Sequence, residues 1–187
     1  MRRFGSVEEL CASEGTELGW SGWFTITQED VDRFGELTGS DDWIHTDPRR
    51  AADGPFGRAI AQGDLVLALL PRMTHEIYHV DGVALRLAYG SDRVRMPSVV
   101  PVGERIRACV KVLGSTQGPA GYRITVGTEV WVEGADRPSV VADVVHLLRP
   151  VQPAARTESA DPAAAPGAAT SVEAGVRASA LAGEVTS

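Results

Sequence analysis

Gly63-Asp64-Leu65-Val66-Leu67-Ala68-Leu69-Leu70 is apolar almost all round. A surface helix shows a polar face, so a run without one reads as a helix enclosed by other structure. Pro71 falls inside the pattern, where its missing amide hydrogen either kinks a helix or ends it, and this leaves the far end, around Met73 to His75, open. Beyond that point the apolar period changes from about 3.6 to about 2. Val83, Leu85, Leu87 and Tyr89 alternate with Ala84, Arg86 and Ala88; Ile106, Ala108, Val110 and Val112 alternate with Arg105, Arg107, Cys109 and Lys111. Tyr122, Ile124, Val126, Thr128, Val130 and Val132 continue the pattern, and Val140 to Leu148 supply a last strand. Glycine-rich turns at Gly114 to Gly121 and Gly134 to Pro138 separate these runs, as in an antiparallel meander. One buried helix followed by roughly four or five antiparallel strands predicts an α+β layout, with a curved sheet wrapped around the helix.

Upstream, Ser6-Val7-Glu8-Glu9 has the form of a capping box and predicts a short helix to about Ala12. Leu18 to Ile26, with Trp20, Trp23 and Phe24, is aromatic and β-branched and reads as a strand. Thr27-Gln28-Glu29-Asp30 repeats the cap pattern ahead of Val31, Phe34 and Leu37 at helical spacing. Asp47-Pro48 reads as a cap followed by proline in the first turn of a brief helix, Arg49 to Ala52. Downstream of Pro150 the texture changes. Residues 151–187 hold no aromatic side chain and are dominated by Ala, Pro, Gly, Ser and Thr, too little apolar bulk to offset the entropy of ordering. The expected organisation is therefore one folded domain, 1–150, and a disordered tail, 151–187, in which Ser171 to Val185 has the alanine content for a transient helix. A docking peptide is the alternative reading of the tail.

The chain of 187 residues, 43% hydrophobic and 23% charged, suffices for one domain with a real core. A net charge of -7 argues against nucleic-acid and anionic-membrane partners, which attract basic surfaces. Cys11 and Cys109 are far apart and lack metal spacing, so neither a disulfide framework nor a metal site is expected, and both read as buried thiols. No window approaches a membrane span and no apolar run follows Arg2-Arg3, which makes the cytoplasm the expected location.

Chemistry concentrates in Thr38-Gly39-Ser40-Asp41-Asp42-Trp43-Ile44-His45-Thr46-Asp47-Pro48, which packs a histidine, three carboxylates and a serine between two helices. Such groups suit general acid–base work. Each also has a plainer reading: Asp47 as a helix cap, Trp20, Trp23 and Trp43 as core or dimer packing, and His75, His79 and His146 as surface or sheet residues. Tyr89 fits the wall of a substrate tunnel and the core equally well, and Arg93 and Arg95 are either phosphate ligands or solvated strand residues.

Several segments in order resemble the MaoC-like hydratases, in particular their nodulation-protein-N-like branch. They are Asp30-Val31-Asp32-Arg33-Phe34, Thr38-Gly39, Trp43-Ile44-His45-Thr46-Asp47-Pro48-Arg49-Arg50-Ala51, Gly54-Pro55-Phe56-Gly57, Ile60-Ala61, Gly63, Tyr89-Gly90, Arg93-Val94-Arg95 and Val100-Pro101-Val102-Gly103. The resemblance spans roughly residues 5 to 150. It implies a hotdog fold, commonly dimeric, with no cofactor, acting on an acyl thioester of coenzyme A or acyl carrier protein. The implied reaction is reversible addition of water to a 2-enoyl thioester, which needs a base–acid pair and donors aimed at the thioester oxygen.

The same resemblance marks two departures. The aspartate expected five residues before the histidine is Ser40, and the histidine of an Ile-Ala-His-Gly segment is Gln62. His45 and Gly63 match, and the Gly63 amide at a helix start is the implied oxyanion donor. The candidate catalytic set is thus His45, Ser40, Asp41 and Asp42, and the candidate substrate-binding set Gln62, Gly63, Tyr89 and Arg95. Asp41 or Asp42 replaces the missing carboxylate only if the loop rearranges, since a one-residue shift turns a side chain by roughly 100° on a helix. Ser40 as a nucleophile would need His45 as its partner; a Ser40 that only holds His45 or a water would leave hydration crippled. Three functions follow: an enoyl-thioester hydratase or dehydratase with an altered pair, a hotdog scaffold redirected to another elimination, cyclisation or isomerisation, and a non-catalytic subunit of a heterodimer.

Overall fold

In the computed structural model, which describes residues 1–151, the apolar run forms a helix in two segments enclosed by a sheet. The elements are β1 (Arg2–Phe4), α1 (Val7–Cys11), β2 (Glu17–Trp20), β3 (Phe24–Thr25), α2 (Gln28–Thr38), α3 (Trp43–Thr46), α4 (Pro48–Ala52), α5 (Gly63–Ala68), α6 (Leu70–Ile77), β4 (Tyr78–Val80), β5 (Val83–Arg95), β6 (Arg105–Gly118), β7 (Gly121–Val132) and β8 (Val140–Pro150). The expectations for the tail beyond Val151 lie outside the described residues.

The sheet has the strand order β2-β6-β7-β8-β5, antiparallel throughout, with β3 also on β6. Alternation decides its two faces. Ile106, Ala108, Val110 and Val112 of β6, Ile124, Val126 and Val130 of β7, and Val140, Ala142 and Leu148 of β8 are buried against Leu65, Val66, Leu70, Met73 and Ile77 of the helix. The helix expected to kink or end at Pro71 does neither abruptly. Leu69 keeps helical angles (φ -82, ψ -6) between the segments, and Pro71 lies in the first turn of α6. There its missing N–H has no intrahelical acceptor to lose.

The aromatic stretch departs from expectation. Leu18 to Ile26 is two short strands interrupted at Ser21 to Trp23. Ser21 stays on β6 through its main-chain N–H to the Ala108 carbonyl (2.9 Å), while its Oγ accepts the Ala108 N–H (3.0 Å), and Glu76 of α6 takes the Gly22 N–H (2.9 Å). Trp20 and Trp23 are not core residues. They flank the Arg107 guanidinium on the outer face, at 4.2 and 4.4 Å, and Trp20 meets Trp131 edge-on. The parallel pairing of β1 with β4 has no signal in the sequence pattern.

Both cysteines are free and half-buried rather than fully buried. Burial, with Glu129 and Glu17 nearby, pushes the Cys109 thiol up to about 11. Among the described residues, no helix is long and apolar enough to cross a membrane.

Candidate active site

Two caps deliver the chain to the site. Thr27 and Asp30 form the predicted capping box of α2, with Thr27 Oγ1 accepting the Asp30 N–H (3.2 Å) and Asp30 the Thr27 N–H (2.9 Å). The helix stops at Gly39, whose φ of 75° is a left-handed conformation that glycine adopts without cost. After α3, Asp47 accepts the Arg50 N–H (3.0 Å) and Pro48 opens α4, so Asp47 is the cap that its sequence context predicted. Trp43 is held by Arg50, 4.4 Å above its ring, and by the close approach of Gly54, where a Cβ would stand 2.9 Å from the indole.

His45 leaves α3 toward the Ile60–Gly63 segment. Its Nδ1 lies 2.7 Å from the Ile60 carbonyl oxygen. A carbonyl only accepts, so Nδ1 carries the proton and Nε2 of the neutral ring holds the lone pair. The α3 backbone is tied down on both sides, through the Ile60 N–H to the Ile44 carbonyl (3.0 Å) and Gln28 Nε2 to the His45 carbonyl (2.7 Å). The Ala61 N–H donates to Val100 (2.8 Å), which anchors the opposite wall.

His45 and Gly63 line one cavity of about 140 Å³, closed by Val66, Met96, Val140 and the hydroxyl residues Ser98 and Ser139. Gly63 is the first residue of α5, where an N–H has no intrahelical acceptor. A Cβ there would overlap the Met96 thioether, which lies over this glycine. Ser98 Oγ donates to the Pro138 carbonyl (3.0 Å) and lies 3.4 Å from Ser139 Oγ. The cavity therefore combines one fixed imidazole nitrogen, a helix-start amide and a pair of hydroxyls in a mostly apolar wall. Such a set can move one proton beside a carbonyl whose oxygen takes on charge.

The other expected site residues lie elsewhere. Ser40 follows the left-handed Gly39, and its carbonyl accepts from Gln62 Nε2 (3.1 Å), which also donates to the Val31 carbonyl (3.1 Å). Gln62 is 3% exposed and its Oε1 has no protein partner. It joins α2, the Ser40 turn and the start of α5 rather than facing the cavity. Gly35 makes room for this junction, since a Cβ there would stand 3.0 Å from the Ser40 carbonyl. Asp41 and Asp42 are exposed, and it is their carbonyls, not their carboxylates, that accept from Thr46 Oγ1 (2.9 and 3.3 Å). Among the described residues the only histidine in an ion pair is His79, with Asp81; none of the carboxylates pairs with His45. Arg95 is exposed at the end of β5, one residue before Met96, and donates to its neighbour's carbonyl (2.7 Å). Arg93, among the described residues the one non-glycine with positive φ (51°), is paired with Asp143. Tyr89 lines a second cavity further along the helix, together with His146.

Sequence reasoning missed Met96, Ser98, Ser139 and His146. The first three sit in an irregular segment and at a strand start, where no period marks the facing side. The alternation of β8, continued from Val140, would have put His146 on the inner face.

The sequence matches the family described as MaoC like domain over residues 11–134. It is 49% identical over 146 residues to 3-hydroxyacyl-thioester dehydratase Z of Mycobacterium tuberculosis, covering 78% of this chain and 97% of that protein. It is 34% identical over 148 residues to Nodulation protein N of Rhizobium leguminosarum bv. viciae, covering 77% and 91%. The fold matches the solved structure of R-hydratase PhaJ1 from Pseudomonas aeruginosa with a TM-score of 0.58 at 21% identity, over 72% of this chain and 81% of that one.

Proposed function

The chain belongs to the MaoC-like domain family, and from that premise we propose that it is a hotdog-fold 3-hydroxyacyl-thioester dehydratase, run in reverse as an enoyl-thioester hydratase, in which His45 alone carries the proton. The observation that carries the reading is the His45 Nδ1–H bond to the Ile60 carbonyl, which leaves Nε2 as the free nitrogen of a cavity shared with the Gly63 amide. The relative named a 3-hydroxyacyl-thioester dehydratase, alignable along almost its whole length, supports the reaction class.

In dehydration, Nε2 takes the proton from C2 of the 3-hydroxyacyl group and the electron pair moves into the thioester, where the Gly63 N–H meets the charge on oxygen. The imidazolium then returns that proton to the C3 hydroxyl as the C–O bond breaks. Water and the 2-enoyl thioester leave, and the ring is neutral again. Hydration reverses each step. Ser40 supplies no base, and the exposed Asp41 and Asp42 form no ion pair with the imidazole. Arg95, beside the Met96 that covers Gly63, serves as the ligand for the carrier's phosphate. A homodimer formed across β5 completes the assembly.

The test is loss of the conjugated-thioester absorbance when short and medium enoyl-CoA substrates are hydrated. His45→Ala is expected to lower kcat by about 10²–10⁴-fold, the usual worth of a general acid–base group. Wild-type and variant rates that coincide would overturn the reading. A second reading rests on the absence of any carboxylate at the imidazole: a scaffold redirected to an elimination or isomerisation that one histidine can run, or a non-catalytic subunit beside a partner with the full pair. Under the first of these His45→Ala abolishes that other activity; under the second it changes no chemistry.

A further inference from the structure

A second cavity, of about 270 Å³, lies further along the helix, between α5–α6 and the strands β5 and β8, with Leu67, Leu70, Thr74, Tyr89, Val144 and His146 in its wall. Gly63 and Val66 face the His45 cavity; Leu67, Leu70 and Thr74 follow at steps of three and four, which is one stripe of a helix. On β8, Val140 faces the first cavity and Val144 and His146 the second, and the residue between them on that face of the strand is the small, buried Ala142. The cavities are therefore two stations on one seam. From Gly63 to Thr74 the helix rises about 16 Å. For scale, a dry cavity of about 150 Å³ already takes a benzene ring.

The far station is apolar with a polar end. Arg86 Nη2 lies 3.2 Å from His146 Nε2 and 2.8 Å from the Tyr78 hydroxyl. A guanidinium only donates, so Nε2 accepts and the proton of the neutral ring is on Nδ1. Nδ1 is buried and makes no hydrogen bond of good geometry, the nearby Leu87 main chain giving the ring only the weakest of its polar contacts. Burial first, then the charges of Arg86 and His75, pull this imidazole down to about 4 against a weaker effect of the Leu87 backbone, so it is neutral at pH 7. The Thr74 hydroxyl spends its proton on the Pro71 carbonyl (3.3 Å) and keeps its lone pairs. A buried N–H left unpaired is costly. His146 lines this cavity, and the broad χ2 well of histidine lets its ring adjust to a ligand there.

We propose that the acyl group taken by this site carries an uncharged oxygen, as keto, hydroxyl or ether, well down the chain from the thioester, and that the His146 N–H selects it. A plain hydrocarbon chain fills the same space and leaves the His146 N–H unpaired. A carboxylate would lose its water among apolar walls while Arg86, at the polar end, is already engaged by His146 and Tyr78. The proposal rests on the thioester reading above.

The experiment is calorimetric titration of the full chain with two unreactive saturated ligands of equal length, dodecanoyl-CoA and an analogue with a keto group in the distal half. Wild type is expected to bind the keto chain about five- to tenfold more tightly, the worth of one net hydrogen bond. His146→Phe, checked for folding by thermal melts, is expected to bring that ratio to unity, and His146→Gln, which keeps an N–H donor, to retain most of it. Equal binding of the two chains by wild type, or an unchanged ratio in His146→Phe, overturns the proposal and leaves the thioester reading standing. Failure of both chains to bind overturns that reading and the proposal with it.

Discussion

An imidazole whose Nδ1–H is committed to a main-chain carbonyl has one nitrogen left for chemistry, and at His45 that nitrogen has no carboxylate to share the work. Restoring one is the sharpest test at this scale. Ser40→Asp is expected to raise crotonyl-CoA hydration by at least about tenfold, less than the roughly 10²–10⁴-fold of a well-placed acid–base group; an unchanged rate would mean that more than one group separates this site from a hydratase. Gly63 tests the oxyanion side. Its added Cβ would meet the end of a flexible, partly exposed methionine, so Gly63→Ala should shift stability by less than about 1 kcal/mol while lowering kcat more than tenfold, read from melts and initial rates. A local motif singles out His45 and Gly63 in the sequence, and the fold brings both to one cavity. Gln62 was legible only as a departure. Its job, bonding the carbonyls of Val31 and Ser40, depends on three segments meeting, and no spacing reports that.

At the level of elements, periodicity identified the enclosed helix and the strands of the meander, because each is long enough for its period to repeat. It failed at Leu18 to Ile26, where a uniformly aromatic stretch conceals a break set by hydrogen bonds to β6 and α6. Ser21 is the residue that keeps β2 and β3 on one strand. With Ser21→Ala the buried Ala108 N–H loses its acceptor, an expected cost of about 1–3 kcal/mol, measurable as a lower denaturation midpoint with an unchanged slope. The inner face of β8 makes a pH-dependent contribution through His146, whose proton affinity falls from an ordinary 6.5 to about 4 on folding. Between these values the unfolded chain binds more protons than the native one, so stability rises with pH across this window and is lost as pH falls from 6.5 toward 4. Melting temperatures measured from pH 7 to pH 4 should fall in wild type, and the fall should be shallower in His146→Gln.

The sheet as a whole has β5 at its edge, thirteen residues long, and that strand presents Leu87 at 44% and Tyr89 at 59% exposure. A long apolar edge with unpaired main-chain groups is a template for association unless it is covered. Covering by a second copy is the economical solution: a two-fold axis beside β5 sets the strand antiparallel to its own counterpart, and the same residues meet from both sides. That symmetry also makes the arrangement easy to break, because one substitution puts two like charges near the axis. Leu87→Glu with Tyr89→Glu replaces side chains that are already exposed, so the single chain should keep its fold by circular dichroism. Sedimentation is expected to give twice the chain mass for wild type and a single chain mass for the double variant, with hydration activity falling alongside. A wild type that sediments as one chain, or a variant that stays paired, would remove β5 as the interface and would require the apolar edge to be covered by a different partner.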